Sequence, residues 1–235
     1  MTVKPVNGRE GDDKERRQII HKNVAFFTDN PELEQRVLYF YTFLRLWGRI
    51  VDPFLMMDDF RNDNPQDYQQ GFPWHPHRGI ETITYVLTGN VEHSDSLGNT
   101  GTLRDGDVQW MTAGSGIIHQ EMLKGNAAGQ MHGFQLWANL PRDQKMCTPR
   151  YQDVGSDHIT SLTDDDGTHI RVIAGDYRGY RGPVDGIDTD PLYLDIALPA
   201  NTSRRFPFDT RRQGFAYIFE GSASFGNASR VAKIV

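Results

Sequence analysis

His75 and His77 flank Pro76, and His119 and Glu121 flank Gln120. Side chains two apart on a strand project from one face, so each of these pairs can address a single point. Two such pairs, carried by strands far apart in sequence, meet only if a sheet curls until its faces look inward, as in a small barrel. Three imidazoles and a carboxylate around one point make a metal site. Pro76 favours this geometry, because the residue before a proline avoids helical backbone and the first pair is held extended.

The donor set is informative. Neutral imidazole suits Fe, Zn, Cu and Ni, and a carboxylate adds a hard oxygen with a negative charge. Three His and one Glu leave two positions of an octahedron open, for a bidentate substrate or for a substrate oxygen plus dioxygen. Structural zinc sites are closed and thiolate-rich, whereas this chain has one cysteine, Cys147, far from both pairs. Bound imidazoles must be neutral, so acid should release the metal. Glu81 competes with Glu121, because it lies four residues beyond His77 and shares its face if the strand is regular. Parity leaves Glu81 open as a ligand or as a partner that orients an imidazole. His132 is read as a core residue or an imidazole-orienting one. His21, His93, His158 and His169 are read as exposed. Trp74, Trp110, Phe134 and Trp137 are read as core, with one or two available to line an apolar pocket.

The remaining sequence fits an all-β chain. Apolar-aromatic runs of four to eight residues alternate with turns rich in Gly, Asn and Asp, as in an antiparallel barrel or sandwich. Residues 1–18 read as a polar tail and 19–140 as the domain carrying both pairs. Residues 141–158 read as a linker, and 159–235 as a second β series with strands at 168–174, 192–198 and 214–219. A strand is expected over 19–27 and a short helix from Pro31, and 37–47 reads as a buried strand. The run Asp164-Asp165-Asp166-Gly167 reads as a solvated turn. A net charge of −6 gives no bulk attraction to nucleic acid. No apolar run approaches membrane-spanning length, and the cysteine content suits a reducing compartment, with cytoplasm as the expected location.

The pattern HxHxxxE followed by a glycine-flanked His resembles a cupin, and specifically the pirin family. The residues carrying the likeness are DPFLMMDDF (52–60), GFPWHPHRGIETITYVLTGNVEHSDSLGN (71–99), GDVQWMTAGSGIIHQEM (106–122), HGFQLWANLP (132–141) and KMCTPRYQ (145–152). They fall within roughly residues 50–226. The resemblance implies a bicupin whose first barrel binds one iron through His75, His77, His119 and Glu121, with Glu81 kept but not ligating. The second barrel is expected to lack metal ligands, and residues 192–225 contain no histidine. The segment before Asp52 is longer and less typical than a pirin start. The chain also ends where a pirin would continue, which implies an incomplete second barrel with edges left to be covered.

The resemblance further implies Fe(II), with Mn, Ni, Cu and Zn as alternatives, and dioxygenase activity on a flavonol such as quercetin. Glu121 would act as general base. The alternative role is an iron-dependent redox sensor that binds a transcription factor or enzyme partner.

Overall fold

The structure, a computed structural model, describes residues 2–5, 52–207, 209, 212, 214–225 and 231–233. The helix expected from Pro31 and the strands expected at 19–27 and 37–47 lie outside these residues. The described chain is almost entirely antiparallel β. Strand β1 is Thr2–Pro5, followed by β2 (Phe54–Asp59), the short helix α1 (Pro65–Tyr68) and β3 (Phe72–His77). Next come β4 (Ile80–Thr88), β5 (Asn90–Asp95), β6 (Thr100–Leu103), β7 (Val108–Thr112) and β8 (Ile117–Lys124). Strands β9 (His132–Asn139) and β10 (Arg150–Val154) complete this series. Strands β11 to β18 are Thr160–Thr163, His169–Ala174, Asp176–Tyr177, Tyr180–Arg181, Tyr193–Ala197, Arg204–Arg205, Ser222–Phe225 and Val231–Lys233. No described helix is long and apolar enough to cross a membrane.

The chain divides into two compact units. The larger comprises Pro53–Ser161 and Arg171–Leu194. It contains a five-stranded sheet in the order β10-β7-β4-β9-β2 and a four-stranded sheet in the order β3-β8-β5-β6. Side chains bridge the two inner faces: Thr84 and Gln135 of the first sheet reach Glu121 of the second, and Gln109 reaches His93. The sheets thus close on one another as a barrel, with alternate residues of every strand inside.

Along β8 the inward row is Ile117, His119, Glu121 and Leu123, all buried, alternating with more exposed neighbours. This row sets the polar pair between two apolar clusters. Ile117 belongs with Met111 and Ala113, against Ile80 and Tyr151. Leu123 belongs with Tyr68, Val86, Val91, Leu103 and Met131, against Phe60 and Phe72. Each fully buried apolar side chain contributes about 1.5–3 kcal/mol, so the barrel does not depend on a metal for its core.

Two expectations about organisation are corrected here. Residues 141–158 are not a linker throughout, because Arg150–Val154 pairs residue for residue with Val108–Thr112 as the edge of the five-stranded sheet. Residues 2–5, expected in a tail, form β1 paired with β16 and β17.

The smaller unit includes β1, Leu162–Ile170 and Asp195–Val235, with a four-stranded sheet in the order β16-β1-β17-β18. The strand expected at 214–219 is absent, and the extended segment lies further on, in β17. The acidic turn is not simply solvated: Arg204 pairs with Asp164 and, at 2.8 Å, with Asp166.

Candidate metal centre

Strands β3 and β8 are neighbours, and His75 and His119 are direct cross-strand partners. That register turns the two sequence pairs toward one another. The Nε2 atom of His75 lies 2.9 Å from that of His77 and 3.0 Å from that of His119. The ligand atoms of the three imidazoles all lie within 4.8 Å of one another. His77 and His119 are buried, at 6% and 1% exposure, and His75 is half-buried.

Three observations make this cluster fit a cation. First, His75 Nδ1 lies 2.7 Å from Pro73 O. A carbonyl only accepts, so Nδ1 carries the proton and the neutral ring presents a bare Nε2 lone pair to the cluster. Second, ligands at right angles around a metal at about 2.1 Å would be about 3.0 Å apart, close to the observed spacings. Third, burial favours neutral rings. Burial, and then the nearby His75, lowers the His77 pKa to about 4. Burial, followed by His75 and His77, lowers that of His119 to about 3.

Glu121 stands beside this group, its Oε2 4.0 Å from His119 Nε2. Thr84 Oγ1 donates to Glu121 Oε1 at 3.1 Å, and Gln135 Nε2 donates to Glu121 Oε2 at 2.7 Å. Burial pushes the Glu121 pKa up, against these two hydrogen bonds, which favour the anion. The group whose ligand atoms lie within 4.8 Å of one another is the three imidazoles, and Glu121 is outside it.

A sequence model of the pirin family matches residues 35–138. A pirin-like protein of Caulobacter vibrioides is 45% identical over 175 residues, covering 74% of this chain and 63% of that protein. A Thermoplasma acidophilum protein, named as a candidate quercetin 2,3-dioxygenase, is 39% identical over 180 residues, 69% of each chain. The chain belongs to the pirin family. Among solved structures, a quercetin 2,3-dioxygenase from Acinetobacter baumannii matches this pirin with a TM-score of 0.55 at 31% identity. That match covers 79% of this chain and 59% of the other. The fold is therefore the all-β cupin barrel of the pirins. The chain spans 57–63% of the length of the first curated relatives it matches.

Other residues of this pirin lie elsewhere than the sequence suggested. Glu81 does not share a face with His77. Gly79, at φ +68°, turns the chain from one sheet to the other between them. Glu81 pairs in regular register with Thr112 and accepts its hydroxyl hydrogen bond at 2.7 Å. It lies three residues from Thr84 along β4, and hence on the face opposite the one that reaches Glu121. Burial raises its pKa there, against the Thr112 hydrogen bond.

His132 also points away from the imidazoles. It stacks edge-on against Phe134, receives a hydrogen bond from Arg61 at 3.2 Å and lies 3.6 Å from Asp59. Trp110 and Phe134 are core, but Trp74 is 53% exposed and Trp137 half-buried.

His93, expected at the surface, is buried on the inward face as the cross-strand partner of Glu121. Gln109 Nε2 lies 2.9 Å from His93 Nε2 and donates to Asp153 at 2.9 Å. Its ring stacks on Tyr151, and a Cβ on Gly101 would collide with Nε2. Burial alternates strictly along Asn90–Asp95, placing Val91, His93 and Asp95 inside, and the parity with Val91 was the available signal.

The lowered imidazole pKa values carry a prediction. Unfolded histidine titrates near 6.5, so in the metal-free protein these two rings stay neutral at pH values that would protonate the unfolded chain. Their contribution to stability is present above about 6.5 and is lost as pH falls toward 4 and 3. NMR titration of the metal-free protein should find two imidazoles still neutral at pH 5. Titration of every imidazole near 6.5 would contradict this placement.

Proposed function

We propose that this pirin is an iron-dependent dioxygenase acting on a flavonol such as quercetin, with His75, His77, His119 and Glu121 as the Fe(II) ligands. The observation that carries the proposal is the convergence of three imidazole Nε2 atoms, two of them buried, beside a buried carboxylate. Relatives named for quercetin 2,3-dioxygenase activity, from Thermoplasma acidophilum and Acinetobacter baumannii, support the substrate class.

Iron, when bound, supplies Lewis acidity toward substrate oxygens. The chain's own residues do the rest. Each oxygen of Glu121 accepts one hydrogen bond from the protein and keeps a further lone pair, so the carboxylate can take the proton of the substrate hydroxyl. Burial raises the basicity of that carboxylate and excludes water from it. Trp137, half-buried and edge-on to His77 with ring centres 5.0 Å apart, offers a flat apolar surface beside the imidazoles.

Anaerobic loading with iron, followed by oxygen-electrode measurement with quercetin, tests the proposal. Uptake that depends on protein, iron and flavonol together is expected. Uptake no greater than that of a His119→Ala control would remove the enzymatic role.

A further inference from the structure

The hydrogen bonds around Glu121 run in one direction. The indole Nε1 of Trp137 lies 2.9 Å from Gln135 Oε1. An indole N–H can only donate, so the amide atom facing it must be the oxygen, and the amide nitrogen must face the other way. That nitrogen donates to Glu121 Oε2 at 2.7 Å and to Thr84 Oγ1 at 3.3 Å. With its acceptor site so used, the Thr84 hydroxyl donates to Glu121 Oε1 at 3.1 Å. The set ends on the carboxylate, which accepts from both the amide and the hydroxyl. Gln135 and Thr84 are 6% and 1% exposed, so solvent does not compete with the arrangement. Their strands β9 and β4 belong to the five-stranded sheet, whereas Glu121 and His119 belong to the four-stranded sheet. The amide therefore ties the carboxylate to the facing wall of the barrel, 4.0 Å from the His119 ring nitrogen. Trp137 also meets His77 edge-on, so the residue that locks the amide touches the imidazole group directly.

We propose that Gln135, locked by the indole of Trp137, is the positioning residue for the fourth ligand, holding the Glu121 carboxylate in one orientation at the edge of the three-histidine cluster. The inference rests on the assignment of these residues as a metal site, and not on turnover of any substrate. Without the lock the amide can turn, and its oxygen then faces the carboxylate and repels it. Loss of the amide would leave Glu121 with Thr84 as its remaining partner in this set, and its Oε2 would no longer be tied to the facing wall of the barrel.

Co(II) is a suitable probe, since its visible absorption reports the ligands around it. Equilibrium titration with Co(II) should show Gln135→Leu binding about 10–100-fold more weakly than the unaltered protein, the usual effect of removing a group that orients a ligand. Trp137→Phe, which keeps an aromatic ring but removes the N–H, should weaken binding in the same direction and change the Co(II) spectrum in the same sense. Its small volume change keeps the test available if Gln135→Leu fails to fold. The decisive arm is a double-mutant cycle. In a Glu121→Gln background, Gln135→Leu and Trp137→Phe should each change Co(II) affinity by less than about 2-fold, because their effect passes through the carboxylate. Equal losses in both backgrounds would overturn the proposal, since that is how a purely structural role behaves. Failure of the unaltered protein to bind Co(II) would overturn it together with the metal assignment. A closed cycle in a protein that binds Co(II), yet consumes no oxygen with quercetin, would support this proposal while removing the catalytic one.

Discussion

His119→Ala is expected to lower metal affinity by more than about 100-fold while leaving the barrel folded. The expected loss exceeds the usual 10–100-fold cost of removing a group that merely orients a ligand, because here the donor itself is removed. His119 is the most buried of the three imidazoles, and its Nε2 faces that of His75 at 3.0 Å. Among the described residues no neighbour replaces it: His93 is engaged by Gln109, and His132 by Arg61. The fold should survive because its stability resides in the apolar clusters on either side of the site. Isothermal titration with metal, together with circular dichroism of the metal-free variant, separates the two effects. Undiminished affinity would remove His119 from the site, and an unfolded variant would contradict the claim that the apolar clusters hold the barrel.

Gly71→Ala should be strongly destabilising. Gly71 has φ +56°, a conformation that costs an alanine about 1–2 kcal/mol. A Cβ there would also collide with the carbonyl oxygen of Glu121 and lie 2.9 Å from Met122 Cα. Both are backbone atoms of β8, so relief requires moving the strand that carries His119 and Glu121. Gly98→Ala is the natural control: its φ is +91°, but nothing lies within 4 Å of a Cβ built there. Urea unfolding should place Gly71→Ala at least about 3 kcal/mol below the unaltered protein, and Gly98→Ala nearer the strain cost alone. Equal losses for the two would show that the close approach to β8 carries no weight.

How much of this was legible in the sequence follows from the range of the interactions. The convergence of His75, His77 and His119 depended on period-two spacing within single strands, which a sequence displays directly. Glu81 failed the same test because the parity argument assumed one continuous strand, and Gly79 breaks it by sending the chain into the other sheet. His93 could have been found, since the inward parity of Val91, His93 and Asp95 is plain once β5 is placed. Thr84, Gln109 and Gln135 could not. Each is an ordinary polar residue in an apolar strand until the two sheets close on one another and set it against Glu121 or His93. Residues 150–154 read as linker because Arg150-Tyr151-Gln152-Asp153-Val154 has weak strand character, and pairing with β7 overrides that local preference.

X-ray absorption at the metal edge of the iron-loaded protein tests the central claim most directly. The account predicts a first shell dominated by nitrogen at about 2.1 Å, with the outer-shell scattering of three imidazole rings. A His75→Ala/His77→Ala variant, lacking two of the three imidazoles, should retain no iron at this site. A shell of oxygen alone, with no imidazole scattering in the unaltered protein, would contradict it.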